Sequence, residues 1–140
     1  MKLMSKEILK KWFAFAQADL DAAKRLFQSP KPTSWTYLLT LWHCHQTIEK
    51  GLKMVIISKG KELLKIHDLP RLSKLAELKL SEKDKTFLED LNEFYLRPRY
   101  PDLLYKPFPK LKRKSTQNYL EKTKKFLLWP QKQISNSQKK

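Results

Sequence analysis

The sequence predicts an all-α protein, an antiparallel up-and-down bundle of four to five helices. Three observations carry that expectation. Apolar residues recur at three- and four-residue steps in successive segments, and no segment alternates with the period of a strand. Only 2 glycines, Gly51 and Gly60, occur in 140 residues, too few for folds built on many tight turns. Prolines separate the periodic segments and stop them from running on.

The first helix is read from Ile8, Trp12, Phe13, Ala16, Leu20, Ala23, Leu26 and Phe27, one apolar face of roughly five turns. Pro30 and Pro32 end it. Thr33 or Ser34 can cap the next helix, which the pattern carries from about Trp35 to Ser58. There Leu38, Leu41, His45, Ile48, Leu52 and Val55 share a face, with Trp42 and Glu49 at its edge and Gln46, Lys50 and Lys53 on its flank. Gly60 supplies the stop. Asp68 caps a short third helix with Pro70 in its first turn and Leu69, Leu72, Leu75 and Ala76 inward. Ser81 opens a fourth, whose apolar face is Phe87, Leu88, Leu91, Phe94 and Tyr95 and which ends before Pro98. Ser115 or Thr116 opens a fifth, with Tyr119, Leu120, Thr123, Phe126 and Leu127 inward, ending at Trp129-Pro130. Residues 1–130 thus read as one bundle domain and 131–140 as a basic, flexible tail.

The formal net charge is +16, from 30 Lys and Arg against 14 Asp and Glu. Residues 106–140 hold eleven basic residues against Glu121 alone, so most of the excess is C-terminal. Such a segment suits a nucleic acid, an anionic surface or an acidic partner; the structural reading is a solvated face with a frayed end. No stretch reaches the ~20 apolar residues of a membrane span. No signal-peptide core follows the basic N-terminus, so an intracellular, cytoplasmic protein is expected. The glycine count excludes Gly-rich phosphate loops. Cys44, the single cysteine, excludes an internal disulfide and a multi-cysteine zinc site, and on its apolar helix it reads as a small buried hydrophobe.

Few residues are left to carry chemistry. His43 and His45 point ~160° apart on one helix and cannot jointly grip an ion. No metal or cofactor is expected. His45 and Glu49, four residues apart, read as a buried hydrogen-bonded pair. Glu49, Lys50 and Lys53 form either a solvated face with intrahelical ion pairs or part of a site. His67 precedes the capping Asp68 and can pack or donate a hydrogen bond. Arg97-Pro98-Arg99-Tyr100-Pro101-Asp102 sets two guanidiniums, a phenol and a carboxylate on a proline-stiffened segment, suited to a phosphate or carboxylate ligand. Its structural reading is a local turn closed by Arg99 and Asp102 over a packed Tyr100.

Five of these pieces, in order over about residues 8–129, resemble the HEPN (higher eukaryotes and prokaryotes nucleotide-binding) domain. They are Ala18-Asp19-Leu20-Asp21-Ala22-Ala23, Gln46-Thr47-Ile48-Glu49-Lys50-Gly51-Leu52-Lys53, His67-Asp68-Leu69, Arg99-Tyr100-Pro101-Asp102 and Phe126-Leu127-Leu128-Trp129. The resemblance implies a helical bundle, commonly a homodimer. Many such proteins act in two-component, toxin–antitoxin-like pairs with a separate minimal nucleotidyltransferase, and some are metal-independent ribonucleases. The ribonucleases carry an Arg followed four to six residues later by His. No His follows Arg99, and a phenol, with an ordinary pKa of about 10, is a poor base near pH 7. The chain is similar instead to the Arg-Tyr-Pro-Asp branch. That branch implies a non-catalytic nucleotide- or substrate-binding, regulatory partner of a nucleotidyltransferase. Arg97, Arg99, Tyr100 and Asp102 would form the binding surface, with Glu49, Lys50 and Lys53 nearby. The alternatives are an RNA-binding module or degenerate ribonuclease using the basic C-terminal helix, and a structural dimer kept soluble by its charge.

Overall fold

The expected helices form where the periodicity places them, and no strand occurs among the described residues, 2–96 and 111–138, of the computed structural model. They are α1 (Lys2–Phe27), α2 (Ser34–Ser58), α3 (Leu69–Leu75), α4 (Glu82–Leu96) and α5 (Arg113–Gln138). α1 buries Leu9, Ala16, Leu20, Ala23 and Phe27, the stripe its spacing predicts, while Ile8, expected inward, stays exposed. α2 starts in a reciprocal cap: the Thr33 hydroxyl accepts from the Thr36 N–H, and the Thr36 hydroxyl accepts from the Thr33 N–H.

Paired contacts give the helix directions. Asp19 meets His43 while Phe27 meets Tyr37, so α1 and α2 run antiparallel. Gly51 meets Leu127 and Pro130, and Cys44 lies against Thr123, so α5 runs parallel to α2. Arg113, at the start of α5, lies over Phe27, at the end of α1. This is the expected up-and-down bundle, with α3 a short crossing piece.

α2 is its central rod and packs on each of the other four helices. The single buried face expected of it is therefore too narrow. Thr40, Thr47, Gly51, Lys53 and Met54 are buried along with Leu41, Ile48 and Leu52. The buried threonines are satisfied locally, Thr40 donating to the Thr36 carbonyl and Thr47 to the His43 carbonyl, one turn back.

The helix ends explain how the next elements are aimed. After α2, Gly60 takes φ 72, its N–H reaches the Ile57 carbonyl and the Lys61 N–H reaches that of Ile56. This closes the helix and requires the left-handed residue that glycine adopts without a Cβ clash. Lys59 and Lys61 then donate to the carbonyls of Ala76 and Leu75, at the end of α3, and pair with Glu77. α3 itself begins as expected, with Asp68 accepting from the Arg71 N–H.

The fifth helix departs from expectation at both ends. It opens at Arg113, where Ser115 closes a cap on Lys112, and it does not stop at Trp129-Pro130 but continues to Gln138. Pro130 removes one helical donor, yet its ring packs closely against Gly51 of α2, where any side chain would press on it. A Cβ at Gly51 would lie 3.2 Å from the Pro130 ring and 3.4 Å from Leu127. Gly51→Leu is expected to force α5 off α2 and destabilise the fold by about 2 kcal/mol, read as a lower urea midpoint with an unchanged far-ultraviolet spectrum.

Candidate functional site

Two charged groups hang on the middle of α2. They point to different sides because adjacent helical residues diverge by about 100°.

The first faces α1. Asp19 Oδ1 lies 2.9 Å from His43 Nδ1, and Asp19 Oδ2 accepts from the Lys50 ammonium. Burial raises the Asp19 carboxyl, but the hydrogen bonds from His43 and Lys50 outweigh it and hold the group below its ordinary value. The Lys50 ammonium also lies 5.6 Å over the exposed Phe15 ring. Lys50 is thus committed to an interhelical bridge, and the structure separates it from Glu49 and Lys53.

The second faces α3 and α4 and is centred on Glu49. The solvated-face reading fails for this pair, since Glu49 is 5% exposed and Lys53 7%. Lys53 Nζ donates to Glu49 Oε2 at 2.9 Å, one turn along the helix. His67, arriving from the loop before α3, sets Nδ1 3.1 Å from both carboxylate oxygens. A buried carboxylate is tolerable only with such partners.

His45 completes the wall and is wholly buried, at 0% exposure. The hydrogen bond to Glu49 expected for it does not form, because Nδ1 stands 3.7 Å from Glu49 Oε1 and has no hydrogen-bond partner. Its Nε2 instead reaches Asn92 Oδ1 of α4 at 3.4 Å. The same Asn92 oxygen accepts from the Leu69 N–H at 3.0 Å and so ties the start of α3 to α4. Burial pushes the His45 imidazole down to about 4, and the nearby Glu49 charge does not compensate.

Tyr95, in the last turn of α4, stands between the two imidazoles. Its ring is 5.0 Å from His45 and 4.6 Å from His67, with interplanar angles of 30° and 19°. The result is a three-ring stack running from the core to the surface.

Of the expected site residues, Glu49 and Lys53 come together and Lys50 turns away to α1. Arg97, Arg99, Tyr100 and Asp102 lie outside the described residues. Sequence reasoning missed Asp19, Asn92 and Tyr95 as members of these polar clusters. Asn92 left a signal, a lone amide one turn beyond Leu88 on the face α4 buries. Cys44 is buried as expected, its thiol pushed up to about 12 by desolvation. No cluster of three or more potential ligands among the described residues is arranged to hold a metal ion. None of their helices is long and apolar enough to cross a membrane.

These features define a class: a helical bundle with a buried, ion-paired polar centre between its second and fourth helices. The model of the HEPN domain matches residues 9–134, and the chain belongs to that family. The crystal structure of TT1696 from Thermus thermophilus shares the fold, with a TM-score of 0.71 at 20% identity over 89% of this chain and 97% of the other. A comparison with curated proteins gives no match.

Lys53→Met is expected to leave Glu49 short of a countercharge and to lower stability by about 3 kcal/mol in chemical denaturation. Adding Glu49→Gln should recover much of that loss, the coupling expected of a pair. Stability should also fall as pH drops from 6.5 toward about 4, because the unfolded chain protonates His45 before the folded one does. His45→Phe should flatten that stretch of the urea-midpoint profile, whose full depth is on the order of 3 kcal/mol.

Proposed function

We propose that this HEPN protein binds a nucleotide and serves as the substrate-binding or regulatory partner of a separate minimal nucleotidyltransferase, without cleaving bonds itself. The observation that carries the reading is the Glu49–Lys53–His67 cluster at the C-terminal end of α4. Tyr95 touches that cluster, and Arg97 follows Tyr95 by two residues in the sequence. In this reading Arg97 and Arg99 neutralise phosphate, Tyr100 stacks on a base or accepts a transferred nucleotide, and Asp102 belongs to the same binding surface. The buried ion pair of Glu49 and Lys53 fixes the carboxylate on which His67 rests. Lys50 supports it indirectly, by fixing α1 to α2 through Asp19.

A second reading, an RNA-binding module or degenerate ribonuclease, has one observation in its favour. Lys79, Lys122 and Lys125 line a groove of about 340 Å³ beside Phe87, Phe126 and Trp129, whereas the neighbouring groove of about 790 Å³ carries Glu82, Asp84 and Asp90 besides Lys83 and Lys122. Lysines among aromatic faces suit a single strand. The exposed Phe15, Trp35 and Leu39 on α1 and α2 fit the homodimer the family resemblance implies.

Calorimetric titration with ATP and GTP, beside affinity capture from the native host with identification of the captured protein, separates these readings. The first expects nucleotide binding that Arg97→Ala weakens about tenfold, and a nucleotidyltransferase among the captured proteins. The second expects binding to oligo(U) whose log K falls by ~0.7 per neutralised phosphate as salt rises, with no mononucleotide bound. RNA cleavage lost on Arg99→Ala would replace both with an enzyme.

A further inference from the structure

Among the described residues, α4 and α5 each pack on α2 but hardly on each other. Aromatic rings bridge the gap. Phe87 and Phe94 of α4 meet Tyr119 of α5, with centroids 6.1 and 5.8 Å apart. Farther along α5, Phe126 and Trp129 continue this floor, 6.3 Å apart. The two grooves above it share Asp84, Phe87 and Lys122, so they form one trough. On α5 its lining runs from Ser115 to Trp129, a span of about 21 Å at helical rise. None of its lining residues belongs to the Glu49 cluster.

The two rims carry opposite charge. α4 supplies Glu82, Asp84 and Asp90 against Lys83, whereas α5 supplies Lys122 and Lys125 and no carboxylate. Glu82 pairs with Lys85 on its own helix, but Asp84, Asp90, Lys122 and Lys125 have no ion-pair partner among the described residues. The Lys122 ammonium lies instead 5.8 Å over the Phe87 ring. An aromatic floor between an acidic and a basic rim is the complement of an amphipathic helix. We propose that the trough is the docking site for such a helix of a partner protein, about four turns long, with an apolar stripe on the rings, carboxylates toward α5 and basic side chains toward α4. The stripe supplies most of the affinity, and the rims supply the selection. Single-stranded RNA matches the trough less well. Its phosphates recur at every nucleotide and would run along the α4 carboxylates as well as the α5 lysines.

The probe is a labelled synthetic helix of about 18 residues, with leucines along one stripe, glutamates on one flank and lysines on the other. Its binding is followed by fluorescence anisotropy at about 0.15 M salt, where long-range attraction to a basic protein is screened. The full chain is expected to bind this peptide at least tenfold more tightly than one of the same composition with the stripe scrambled. Lys122→Glu with Lys125→Glu, both at exposed positions, makes both rims acidic. That variant should bind the probe about tenfold more weakly and should instead prefer a peptide with lysines on both flanks. Should it fail to fold, Asp84→Lys with Asp90→Lys supplies the converse, a preference for glutamates on both flanks. Equal binding of striped and scrambled peptides, or a flank preference unmoved by the substitutions, overturns the proposal. Oligo(U) that displaces the probe, and whose binding the Lys122 and Lys125 substitutions abolish, overturns it in favour of RNA. A dimer in sedimentation that the same substitutions dissociate overturns it in favour of a second copy of this chain. None of these outcomes touches the nucleotide reading, which rests on other residues.

Discussion

The buried carboxylate of Glu49 is the constraint around which the polar interior of this bundle is organised. A charge at that depth persists only if it is paired, and its partners come from two places in the chain. Lys53 is one turn away on the same helix, so helix geometry supplies it at once. His67 comes from the loop before α3, so the second contact depends on folding the chain back. Forming it fixes where α3 starts. Asn92 then locks that start to α4 through the Leu69 N–H. One carboxylate thereby couples the register of α2, the entry to α3 and the last turn of α4.

The burial of α2 explains why this charge has to exist in a low-dielectric setting at all. A helix packed against four others keeps little solvent face over its central turns, and each buried polar residue there needs an internal answer. Thr40 and Thr47 find it in carbonyls of their own helix, Lys50 in Asp19, and Lys53 in Glu49. His45 finds half of it, leaving one ring nitrogen without a donor or acceptor beside Glu49. That nitrogen and the indole Nε1 of Trp42 are buried without a hydrogen-bond partner, the former at the foot of the ring stack that reaches the surface at His67.

The helices were legible because their signals are local. Periodicity placed the buried stripe of α1. The caps at Thr33, Asp68 and Ser81 and the glycine stop at Gly60 set the boundaries. Where local signals misled, a tertiary contact had overruled them. Pro130 reads as a stop, yet its ring fills the space over Gly51 and the helix runs on. The trio Glu49, Lys50 and Lys53 reads as one charged face because all three are polar on one helix. Their burial and their separation into two clusters depend on α1, α3 and α4, which no pattern within α2 reveals.

The sequence by itself determined the all-α class, the order and approximate ends of the helices, the family motifs and the concentration of charge toward the C-terminus. Each is a property of neighbouring residues, through hydrogen-bond geometry, side-chain spacing or simple count. Only the tertiary structure decided which polar residues are buried together. It set Glu49 against His67 across 18 positions, His45 beside Asn92 across 47, and Tyr95 between two imidazoles. Those pairings follow from the close packing of separate helices, where a buried charge accepts only partners that arrive with the right geometry, and that selection has no counterpart along the chain.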